Sequence, residues 1–193
     1  GTVSLRTSRS PISIPVVETE RLRLRGHRKD DLAACVAMWT DPIVTRYISG
    51  RASTEQQTWS RLLTYIGHWD LLGFGYWAIE EKSTGDFVGE VGLADFKRDI
   101  APSMKGSPEL GFALIPSVHG KGYATEAVRG ALSWADANIA QRRSVCLVNP
   151  QNVASRHVAE KCGYEVFEEN LYNGQGVLFL ARNADRKAAP PPV

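Results

Sequence analysis

Paired cysteines are missing from this chain. Its three cysteines, Cys35, Cys146 and Cys162, are odd in number, form no Cys-x-x-Cys and have no histidine at zinc-ligand spacing. A zinc site and a disulfide scaffold are therefore both disfavoured, and buried, reduced thiols in a cytoplasmic protein are expected. Long apolar runs are also lacking, so neither a membrane span nor a secretory signal is expected. There is no marked charge excess. With 23 Lys and Arg against 21 Asp and Glu, the net charge of +2 gives no electrostatic reason to expect nucleic acid or an anionic membrane as partner. No segment repeats another.

What is present is enough for one domain with a sizeable core: 193 residues, 43% of them hydrophobic. Residues 1–16 read as a flexible N-terminal segment, 17–182 as the domain and 183–193 as a disordered tail rich in Pro and Ala. "RLRLR" (21–25) alternates strictly, predicting a strand with Leu22 and Leu24 on one face and a solvated arginine face on the other. Helices are expected over 30–39, with Leu32, Val36 and Trp39 inward, and over 54–69, with a stripe of Trp59, Leu62, Leu63 and Ile66.

The period then changes. "YWAIEE" and "FVGEVGL" flank the turn "STGD" as a hairpin, and "ELGFALI" (109–115) is a further strand. Residues 123–137 carry a helical stripe from Ala124 to Ala135, "SVCLV" (144–148) is a short strand, and residues 152–164 read as a helix capped by Asn152 and stopped at Gly163. "EVFEENLYNGQGVLFLA" closes the domain as strand, turn, strand. The order β-α-α-β-β-β-α-β-α-β-β predicts an α/β domain with a mixed sheet, in which 109–115, the helix after it and 144–148 form a βαβ unit.

Between strand and helix of that unit lies "HGKGYAT". Amides at a helix start have no intrahelical partner and the helix dipole favours negative charge there, so phosphate binding is the leading reading, against a tight turn with no ligand. A P-loop would need glycine at 115 and Ser or Thr at 122, where Ile and Gly stand; a dinucleotide fingerprint would need glycine at 125, which is Thr.

His119, Gly120, Lys121, Gly122, Tyr123 and Ala124 instead resemble the Arg/Gln-x-x-Gly-x-Gly/Ala loop of the GNAT (Gcn5-related N-acetyltransferase) superfamily, with His in place of the usual Arg or Gln. "ETERLRLRGHRKDDL", "GFGYWAIEEKSTGDFVGEVGL" and "NPQNVASRHVAEKCGYE" are similar to segments of its RimJ/RimL-like branch, and the likeness stays in register from about 17 to 182. The resemblance implies a GNAT fold whose strand 109–115 splays from strand 144–148, and an N-acetyltransferase moving an acetyl group from acetyl-CoA to a primary amine in a ternary complex. No metal would take part. The pyrophosphate would rest on the amides of residues 120–125, Thr125 included, with Lys121 either neutralising charge or facing solvent. The pantetheine arm would meet backbone groups of Phe112, Ala113 and Leu114. The small Gly111 and Ala113 suit a close approach to the backbone, or else tight packing.

Attack on a thioester needs a deprotonated amine, an oxyanion donor and a proton for the thiolate. The resemblance implies Glu109 as base, its other reading being an ordinary solvated strand-end acid, with Ser155 as proton donor or relay and Asn152 as a second holder of the arm. A backbone amide in the splayed region, such as that of Leu114, would serve as oxyanion donor. Asn152 also reads as a helix cap, and Ser155 as a first-turn residue. Tyr164 reads as core or lip, His157 as surface, and Glu168 and Glu169 as a solvated rim. The 40–56 connection, the 97–107 loop and the turn near Tyr172–Gly176 would form the acceptor side. The acceptor would be a protein N-terminus or a small-molecule amine, with a monomer or homodimer expected. The alternative is a non-catalytic acyl-CoA-binding or sensing module, and a third reading, RNA binding through the basic strand, conflicts with the near-neutral charge.

Overall fold

A computed structural model describes residues 13–184, so the expectations for 1–12 and 185–193 lie outside the described residues. An eight-stranded sheet runs β1-β2-β3-β4-β5-β6-β8-β7. Its strands are β1 (Val17–Glu18), β2 (Leu22–Arg25), β3 (Tyr76–Glu81), β4 (Phe87–Ala94), β5 (Glu109–Leu114), β6 (Arg143–Val148), β7 (Glu165–Tyr172) and β8 (Gln175–Asn183). Every neighbouring pair is antiparallel except β5 and β6, as the βαβ reading required.

Strand alternation sorts the helices onto two faces. On one face, Trp77, Ile79, Val91, Leu93, Leu110 and Leu114 pack with Ala127, Val128, Ala131 and Leu132 of α4 (Tyr123–Asn138). This is the main core, and the stripe read from residues 123–137 is the face α4 buries. Also on this face is α5 (Val153–Lys161), which ends before Gly163 in the left-handed region (φ +96°), as read from the sequence. The opposite face carries α1 (Leu32–Thr40), the short α2 (Pro42–Thr45) and α3 (Glu55–Leu72).

Three sequence expectations change here. The stripe of α3 is rotated: Thr58, Leu62, Tyr65, His68 and Trp69 are buried, whereas Leu63 is half exposed. The cause is polar. The His68 Nδ1 pairs with the Phe74 carbonyl (2.6 Å) while its Nε2 accepts from the Asp95 amide (2.8 Å), and Tyr65 donates to Glu90. These bonds fix which side faces inward. Likewise α1 buries Cys35, Met38 and Trp39, leaving Leu32 and Val36 partly exposed. Finally, the arginine face of β2 is not simply solvated. Arg25 is buried in a fork with Asp31 (2.9 and 2.8 Å) and reaches Glu80, and Arg23 pairs with Glu18 and Glu80. A polar alternation can thus turn inward when carboxylates wait on neighbouring elements.

Side-chain caps sit on α3 and α5, of which the sequence showed the one at Asn152. Thr54 and Gln57 exchange bonds as a capping box on α3, and Asn152 Oδ1 accepts from the Ser155 amide (3.1 Å) on α5. The thiols of Cys35, Cys146 and Cys162 are unpaired and buried, and burial pushes all three above the ordinary thiol range.

Candidate active site

The sheet opens between β5 and β6. Glu109 and Leu110 pair with Val145 and Cys146; beyond them β5 keeps only its β4 partner, and Leu147 and Val148 keep only β8. The Ile115 amide donates to Val88 of β4 (2.9 Å), so alternation turns the peptide groups of Phe112 and Leu114 toward the gap and those of Ala113, expected to meet the arm, toward β4 instead. The groups of Phe112 and Leu114 are an unpaired strand edge inside the protein. The His119 Nε2 pairs with the Leu114 carbonyl (2.8 Å), closing the far end of that edge. In the neutral ring Nε2 then carries the proton, and this nitrogen is turned to the strand rather than to a ligand.

The glycine loop follows at once. Gly120 and Gly122 stand at φ +78° and +79°, where an L side chain is strained, and Gly122 is the N-cap of α4. The first intrahelical bond runs from the Glu126 amide to Gly122, so the amides of Gly122, Tyr123, Ala124 and Thr125 have no helical partner. The Lys121 side chain is exposed. Tyr123 is buried and gives its hydroxyl to Glu81, so its contribution at the loop is its amide. Arg21 props the loop from outside, donating to the Lys121 carbonyl (2.9 Å) and to Glu126 (2.7 Å) and lying over the Tyr123 ring. The Glu126 charge at the helix start is thereby matched by a cation.

On the α3 face the same gap widens into a cavity of about 600 Å³, walled by α1, α3, β4, β5, the 95–108 connection and the β7–β8 turn, with Asn152 and Ser155 of α5 at its rim. Each of the three segments expected on the acceptor side contributes to this wall: Tyr47 and Ile48, Arg98, and Tyr172, Gln175 and Gly176. Four charged side chains line it: Glu109, Arg98, Glu90 and Arg61. Glu109 is buried and accepts from Arg98 on both oxygens, Nε at 2.6 Å and Nη2 at 3.0 Å, in a two-pronged ion pair.

Glu90 was not singled out from the sequence. It projects from β4, 1% exposed, and its oxygens accept from the Trp39 indole (3.2 Å) and from the Tyr65 hydroxyl. Burial pushes its carboxyl above the ordinary range, against these bonds and the nearby Arg61 charge. A signal did exist: Glu90 is the one charged residue in "FVGEVGLA", a strand otherwise apolar on both faces. Gly111 also has a role that the sequence did not show. A Cβ there would lie 1.7 Å from the Tyr76 hydroxyl, so its bareness admits this phenol. Tyr164 is core, bonded to Ser144 (2.7 Å), while His157, Glu168 and Glu169 are exposed.

A free strand edge leading from a helix N-terminus to a cavity with a buried carboxylate suits a long phosphorylated thioester and a nucleophile that meet at the gap. Comparison with known proteins agrees. The family model for the acetyltransferase (GNAT) domain matches residues 21–165. YkkB of Bacillus subtilis is 31% identical over 150 residues, covering 75% of this chain and 82% of its own. A GNAT-family acetyltransferase of Bordetella pertussis superposes with a TM-score of 0.77 at 27% identity, over 88% of this chain and 99% of that one. RimL, a ribosomal L7/L12 alpha-N-protein acetyltransferase solved with coenzyme A, shares the fold at a TM-score of 0.72 and 17% identity, over 89% and 99% of the two chains. The chain belongs to the GNAT family and is an acetyltransferase.

Proposed function

We propose that this acetyltransferase takes its acetyl group from acetyl-CoA and gives it to a primary amine by direct attack within a ternary complex. The observation that carries the reading is the opening of β5 from β6 after Leu110, which leaves peptide groups of Phe112 and Leu114 without strand partners. A pantetheine arm has amides of its own and can pair with that edge as an added strand. The pyrophosphate is assigned to the unpaired amides of Gly122–Thr125 and those preceding them in the loop, with Lys121 free to add charge from solvent. Asn152, already a cap through Oδ1, keeps its side-chain NH2 for the arm.

At the cavity the amine nitrogen bonds to the acyl carbon, the carbon–sulfur bond breaks, one proton leaves the nitrogen and one joins the departing thiolate. Glu90 receives the amine proton, directly or through water, because it is the cavity carboxylate whose burial raises its proton affinity. Glu109 is the alternative base: each of its oxygens keeps a lone pair beyond the Arg98 contact. The Leu114 amide faces the gap as a donor to the developing oxyanion, and Ser155, at the rim, relays a proton to sulfur. Measuring thiol release from acetyl-CoA across a panel of primary amines tests the reading. Acetyl-CoA binding with no release for any amine would instead favour a sensing module.

A further inference from the structure

Arg61 has no part in the chemistry just described, yet α3 aims it into the cavity. Gln57, Ser60, Arg61 and Thr64 follow one another at helical spacing and line the cavity from above; Arg61 is the charged member of that row. Its guanidinium carbon lies over the Trp39 ring, 3.8 Å from the centroid. Arg98, the other lining cation, is consumed by Glu109, whereas Arg61 has no ion-pair partner among the described residues. A planar guanidinium held over an aromatic face, beside the Tyr65 hydroxyl and without an ion-pair partner, is a donor set that suits a carboxylate.

The same indole organises both charges. Its N–H edge holds Glu90 (3.2 Å) and its face holds Arg61. One rigid side chain therefore places a proton-accepting carboxylate and an unpaired cation a short span apart on one wall of the cavity. We propose that the acceptor is a primary amine bearing an anionic group close to the nitrogen, as in an α-amino acid: Glu90 receives the amine proton while Arg61 binds the carboxylate. This rests on the proposed function and narrows its acceptor. A polyamine would bring a second cation against Arg61, and the peptide carbonyl of a protein N-terminus would offer the guanidinium no carboxylate beyond the nearby Glu90.

The test compares free amino acids with the carboxamides of the same amino acids, and with spermidine, in the thiol-release assay on the full chain. The acids should exceed the amides in kcat/KM by about tenfold or more, and Arg61→Gln should bring that ratio near one, with Arg61→Lys between. In the unaltered protein, carboxylic acids lacking the amine should inhibit competitively with the acceptor, and their amides should not. That measurement holds even where a variant fails to fold. Amides or spermidine turning over as well as the acids, or an unchanged ratio in Arg61→Gln, would overturn the anionic acceptor and leave the acetyl transfer standing. Silence from every amine would overturn the transfer itself.

Discussion

The two ends of the gap between β5 and β6 are built from different material. At the α4 end, what is on offer is backbone: peptide groups of Phe112 and Leu114, then the amides that follow two left-handed glycines, all within residues 112–125. At the cavity end the lining is side chains drawn from distant elements, among them Trp39, Arg61, Glu90, Arg98 and Glu109. Backbone sites are local in sequence and tolerate changes of side chain, as His119 illustrates. Side-chain sites depend on strand register and helix rotation, and there one exchange can remove a function.

That contrast can be broken or sharpened. The largest effect is expected at the cavity: Glu90→Gln should lower kcat by about 10²–10⁴-fold while leaving coenzyme A affinity near its original value. Since burial raises the Glu90 carboxyl, the loss of kcat/KM on acidification should begin above the ordinary carboxylate range, and an acid limb at the ordinary position would point to another base. If Glu109→Gln shows the larger loss, Glu109 is the base.

At the backbone end, Gly122→Asp should weaken coenzyme A binding about a hundredfold by calorimetry, because it strains φ +79° and sets a carboxylate where phosphate docks. Retained affinity would contradict the loop assignment.

A comparable effect on stability is expected at His27, which lies under the cavity wall. Its ring is 5% exposed, has no hydrogen-bond partner and sits 5.0 Å from the Tyr65 ring, with Asp31 and Arg25 as its charged neighbours. Burial lowers its pKa to about 4 from 6.5, so the unfolded chain takes up a proton first as pH falls. Stability should drop by about 3 kcal/mol between pH 6.5 and 4, read from denaturant midpoints, and His27→Phe should flatten the slope. The smallest effect is expected at the rim, where Ser155→Ala should cut turnover about tenfold and leave KM nearly unchanged; an unaltered rate would remove its role as relay.

The legibility of the chain follows the same division. The glycine loop, the βαβ unit, the Asn152 cap and the stripe of α4 could be read because each is encoded within a few consecutive residues. The inward turn of Arg25, the rotated stripe of α3 and the pairing of Glu109 with Arg98 could not, because each is decided by a partner on another element. Glu90 stood between these cases: its oddness in an apolar strand was visible, but its indole and phenol partners lie on α1 and α3.

The phenol of Tyr76 seated in the bare Gly111 position acts as a mechanical stop. Were β5 to slip by two residues past its neighbours, Glu109 or Ala113 would come to that spot and its Cβ would meet the ring. The fork in the sheet is thereby pinned at a fixed distance from the loop proposed to hold the pyrophosphate. A ruler set in this way selects for the length of the carrier arm, so acyl carriers with shortened or extended linkers should deliver their cargo out of reach of the acceptor.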